Sequence, residues 1–178
     1  AREIPRAMFS SNLRLGCRTT TVELPVRRMP SVDEASARLA SVQRRLDGLR
    51  RTGTPREEIR TAECDWFGAE ESVTLARAAA SDKLTEYART CLPAEVQVMQ
   101  VGPWRFVGWP GEWFVEYGLQ VRARQRSTYV ITLANGELQG YIVTPQAVAE
   151  GWYEGSNALF DGPSSGERVV NATMKLLA

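Results

Sequence analysis

The chain has 178 residues, 43% hydrophobic and 24% charged, with 22 Lys and Arg against 21 Asp and Glu and not one histidine. This fits one globular domain with room for a sizeable core, and no apolar run approaches the roughly 20 residues of a membrane-spanning helix. The net charge of +1 removes any global attraction to nucleic acid or anionic lipid. Without imidazole the chain alone cannot build a serine triad, a Cys–His pair or most catalytic zinc sites.

The first regular element is a strand over 19–26, T-T-T-V-E-L-P-V, stopping before Pro30. Ser31 then opens S-V-D-E, a capping box with Glu34, and Val32, Ala35, Leu39, Val42, Leu46 and Leu49 give one apolar stripe of a helix ending near Gly53. Its other face carries Arg38, Arg44, Arg45, Arg50 and Arg51. Interspersed Asp33, Glu34 and Asp47, and the lack of aromatic residues to stack on bases, make this a solvated face rather than a nucleic-acid surface. A second helix is expected from about Ala69 to Arg89.

From Ala94 the pattern turns to short strands. Glu95–Val101 and Trp104–Trp109 flank Gly102-Pro103 as hairpin partners. Pro110-Gly111-Glu112 makes a sharp turn into a helix from Trp113 to about Arg124. The β-branched run Ser127–Ala134 is expected to be a central strand ending at Asn135-Gly136. A short strand over 140–144, a short helix after Pro145, the loop G-W-Y-E-G-S-N and a closing helix after Gly166 complete the chain. Alternating helices and strands predict an α/β or α+β single domain, a mixed sheet flanked by helices. The three cysteines, Cys17, Cys64 and Cys91, lack metal-ligand spacing; buried free thiols are expected, with a disulfide plus one spare thiol as the alternative.

Polar and aromatic residues concentrate where strands end, around Glu112, Tyr141 and Tyr153, which is where open α/β sheets place ligands. Glu112 is expected in the first turn of the following helix, where the dipole favours its ionised form and makes it an anchor or metal ligand. Structural roles are open at all three: first-turn acids are commonly local stabilisers, and tyrosines at strand ends pack their rings. Glu116 and Glu137 are further carboxylates, with no fixed separation from Glu112.

Four segments in order, V-G-W-P-G-E-W-F-V-E-Y-G-L, T-Y-V-I-T-L-A-N-G-E-L-Q-G-Y-I-V-T-P, Y-E-G-S-N-A-L-F and G-E-R-V-V, resemble the C-terminal part of the catalytic domain of the neutral/alkaline, non-lysosomal ceramidase family. The long first helix and T-A-E-C-D-W-F-G-A-E-E resemble its more divergent members, so the likeness covers most of the chain and is strongest from about Val101. The resemblance implies a zinc-dependent hydrolase of linear amides, an N-acyl sphingosine-like lipid being the family's substrate class. It implies Glu112 and Tyr141 as zinc ligands and Tyr153 as the group assisting at the amide oxygen. Zinc-bound water, its pKa lowered to about 7, would be the nucleophile.

The family's histidine ligands, catalytic histidine, arginine and serine have no counterpart here. The expectation is therefore a C-terminal portion whose partner is the preceding polypeptide of the same protein, with no nucleic-acid partner and, by resemblance, a secreted or extracytoplasmic location. The alternative is a non-catalytic, ceramidase-like module binding a partner through exposed Trp109, Trp113 and Trp152.

Overall fold

The computed structural model describes residues 11–178. In chain order these form β1 (Leu15–Val22), α1 (Val32–Arg51), α2 (Arg56–Ala80), α3 (Leu84–Arg89), β2 (Ala94–Val101), β3 (Trp104–Gly108), β4 (Glu112–Trp113), α4 (Val115–Arg124), β5 (Thr128–Ile131), β6 (Tyr141–Ile142), α5 (Pro145–Glu150), α6 (Tyr153–Ser156) and α7 (Gly162–Leu177). The result is an α/β domain with a mixed sheet flanked by helices.

The main sheet has the order β1-β2-β3-β5, antiparallel except for the parallel β3–β5 pair. The expected hairpin across Gly102-Pro103 is β2–β3, with Val98 opposite Val107. Val107 in turn faces Val130, so one row of valines crosses three strands toward the core. Alternation then places Met99, Phe106 and Tyr129 side by side on the opposite face. There Phe106 and Tyr129 stack at 5.7 Å between centroids, and Met99, Trp104, Tyr129 and Ile131 are exposed. Helix α7 covers the inner face at β1 and β2.

Several boundaries differ from the sequence expectation, each for a local reason. The first strand is Leu15–Val22, and Val26 makes only an isolated bridge with Phe160. The second helix begins at Arg56, capped by Pro55 and led by Glu57 and Glu58; it breaks at Ser81-Asp82, where Asp82 has φ of 57°, before α3. β5 is the edge strand of its sheet, not a central one, and it ends at Ile131 because Leu133 (φ 53°) turns its N–H to the Gly111 carbonyl. α7 starts earlier than expected, since Asp161 caps it by accepting the Ser164 N–H at 2.9 Å. Gly166 lies inside that helix, at a point where a Cβ would fall 2.1 Å from the Tyr117 ring.

Where the signals were local, they hold. Ser31 and Glu34 form the capping box, and α1 packs on α2 through Ala35 against Val73 and Ala76. The arginine face is solvated but paired to α2: Arg45 meets Asp65 at 3.1 Å and Arg50 meets Glu63 at 2.7 Å. The three cysteines are free thiols, as expected, but they are not buried: Cys17 is exposed, and Cys64 and Cys91 are half-buried.

Candidate functional site

Glu112 does not lie in a helix first turn. Gly111 (φ 73°) turns the chain so that Glu112-Trp113 forms β4, and the helix begins only at Val115 after the Phe114 cap. The free N–H groups of α4 are therefore displaced from Glu112. Its surroundings are set instead by β6, which runs parallel to β4 with Glu112 opposite Tyr141 and Trp113 opposite Ile142. Directly opposed residues bring their Cβ atoms to about 5 Å, near enough for a carboxylate and a phenol to meet.

Tyr153 reaches the same place from the first residue of α6. Its ring meets the Tyr141 ring edge to face, with centroids 5.7 Å apart. Glu112 and Tyr153 are the two side chains that act on the Tyr141 hydroxyl. Burial first, then these two partners, push the Tyr141 phenol well above the ordinary tyrosine range, so its proton is held firmly. All three sequence-predicted residues thus converge, each of them half-buried.

Three further residues build this cluster. Gly140 (φ 73°) lies so close to α6 that a Cβ would sit 1.9 Å from the Asn157 carbonyl oxygen. Asn157 donates through Nδ2 to the Tyr153 hydroxyl at 3.3 Å. Gly68 of α2 leaves room for Tyr153, whose carbonyl oxygen would be 3.1 Å from an added Cβ. Gly140 beside Tyr141 was visible in the sequence; its approach to Asn157, 17 residues later, was not.

The other candidates separate from this cluster. Glu137 acts on Tyr87, together with Glu71, and Glu116 acts on Tyr117. Of the three tryptophans expected to be exposed, only Trp152 is. Trp109 is fully buried, donating its indole N–H to Thr173 Oγ1 at 2.9 Å, and Trp113 is half-buried against Trp109 and Tyr117.

A carboxylate beside a phenol is a pair of hard oxygen donors of the kind zinc accepts, and a bound dication would favour the phenolate that the apo environment disfavours. The fit is partial. Two oxygens are half of a tetrahedral set, and no group of three or more His, Cys, Asp or Glu that could hold a metal exists among the described residues. Comparison with family models, with curated proteins and with solved structures finds no match to the chain.

Proposed function

We propose that the chain forms part of a zinc-dependent amide hydrolase resembling neutral ceramidase, with Glu112 and Tyr141 as metal ligands and Tyr153 as the group that assists at the amide oxygen. The observation that carries this reading is the convergence of Glu112, Tyr141 and Tyr153, drawn from β4, β6 and α6, into one carboxylate–phenol–phenol cluster. When bound, zinc would supply Lewis acidity and an activated water. The chain's own part is to hold two oxygens side by side and to present the Tyr153 hydroxyl, steadied by Asn157, as a donor to a carbonyl oxygen that gains charge during attack.

The imidazole ligands belong to polypeptide outside this sequence. Met99, Trp104, Tyr129 and Ile131 offer that polypeptide an apolar sheet face of the kind that marks an interaction surface. The module reading, by contrast, keeps only Trp152 as an exposed indole among its three anchors.

The test is zinc analysis and hydrolysis of an N-acyl sphingosine by the protein carrying both parts, compared with Glu112→Gln and Tyr141→Phe. Each substitution is expected to lower zinc occupancy and activity together, and Tyr153→Phe to lower activity while zinc is retained. Unchanged zinc content in Glu112→Gln removes the assigned role.

A further inference from the structure

The segment leading into α1, α1 itself, α5 and α6 surround a cavity of about 740 Å³, separate from the phenol cluster. Its wall carries Arg27, Arg28 and Arg38 with the carboxylates of Glu34 and Asp161. Both acids are committed to helix caps. Glu34 Oε2 accepts the Ser31 N–H and hydroxyl at 2.8 Å each, and Asp161 Oδ1 accepts the Ser164 N–H. Arg28 acts on Glu34, so those two charges offset one another.

Arg27 and Arg38 remain. Neither takes part in an ion pair among the described residues; the pairs there join α1 to α2 or lie within α2. Arg27 donates from Nη2 to the Ser156 carbonyl at 3.2 Å and to Met29 Sδ at 3.5 Å, while its Nε, shielded from solvent, has no partner. Arg38 donates from Nη2 to the Gly151 carbonyl at 2.7 Å. Burial and, after it, the neighbouring Arg38 charge lower the pKa of Arg27. Two like charges thus line one cavity, Arg27 partly desolvated and Arg38 exposed, with no carboxylate paired to either, an arrangement that an anion relieves.

We propose that this cavity is an oxyanion site in which Arg27 and Arg38 hold a phosphate group, either as the free ion or as a monoester. Guanidinium forks match phosphate oxygens two at a time, and a dianion balances both charges where a carboxylate balances one. The volume exceeds what a phosphate alone fills, and Met29 and Val148 supply apolar wall for an organic remainder. The inference does not depend on the zinc reading.

The experiment is calorimetric titration of the 178-residue chain with inorganic phosphate and with glycerol 3-phosphate, against sodium chloride at matched ionic strength. Saturable phosphate binding is expected, weakened about tenfold or more by Arg38→Gln, the loss of one charge-assisted contact. Arg44→Gln, an exposed change on the same helix outside the cavity, leaves it intact. Arg38 is exposed, so its replacement spares the fold, as circular dichroism checks; Arg27→Lys keeps the charge, loses the planar two-pronged guanidinium and also weakens binding. Tighter glycerol phosphate binding identifies an ester as the natural source, and equal binding identifies the free ion. Heats no larger than chloride gives, or equal affinity in Arg38→Gln and the parent, overturn the proposal.

Discussion

Replacing Gly140 by alanine tests how the phenol cluster is assembled. Two costs combine at this position. An L residue at φ 73° carries a conformational cost of roughly 1–2 kcal/mol. The new Cβ also meets only backbone: the Asn157 oxygen at 1.9 Å, its carbon at 2.8 Å and Ala158 Cα at 3.0 Å. Backbone cannot swing aside as a side-chain tip can, so overpacking adds about 1–3 kcal/mol. The expected loss is therefore about 2–5 kcal/mol. Gly53→Ala is the control, because Gly53 has φ of 66° and nothing within 4 Å of an added Cβ, leaving only the conformational part. Urea unfolding followed by tryptophan fluorescence reads both variants. With equal m-values, the difference between them isolates the steric part. At a domain of this size each kcal/mol moves Tm by roughly 2–4 °C. If Gly140→Ala and Gly53→Ala lose the same stability, the close approach to α6 does not hold β6 in place and the reasoning fails.

Other outcomes follow from single contacts. Trp109→Phe opens space in the core and strands the Thr173 hydroxyl, so unfolding experiments should show a loss of about 2–4 kcal/mol, part of which Thr173→Val restores in the double variant. Tyr117, whose hydroxyl donates to the Val143 and Gly162 carbonyls, has its pKa pushed up to about 12, by burial first and then by Asp161 and Glu116. The folded state keeps a proton that the unfolded chain loses above about pH 10, so stability present below that pH falls as pH rises toward 12. Tyr117→Phe, less stable at neutral pH, should show a flatter decline over that window in urea titrations run at stepped pH.

Much of the secondary structure was legible because its causes are local. Ser31 and Glu34 are three residues apart and announce α1, and Gly102-Pro103 sits inside the hairpin it makes. Glu112 was misplaced for the same reason in reverse. Pro-Gly-Glu before a helical pattern reads as a helix start, whereas the backbone of Glu112 answers to Tyr141, 29 residues later. A parallel pair of two residues has no periodicity to detect, so the strand-end positions of Glu112 and Tyr141 were legible while their pairing was not. Trp109 was read as exposed because its hydroxyl partner, Thr173, lies 64 residues away on α7. Arg27 carried no sequence signal at all, since an arginine before a capped helix is ordinary until its neighbours are known.

The Ser156 carbonyl oxygen receives both the Ser72 hydroxyl, at 2.9 Å, and the Arg27 guanidinium. Four residues cannot sustain a helix by themselves, so the turn bearing Tyr153 inherits its position from α2 and from the strand-to-helix linker. In a saturation scan read by the placement of that turn, Ser72 and Arg27 would therefore score among the intolerant positions although both act on its far end. The map of sensitive codons would trace the moorings of that turn as clearly as the phenol it carries.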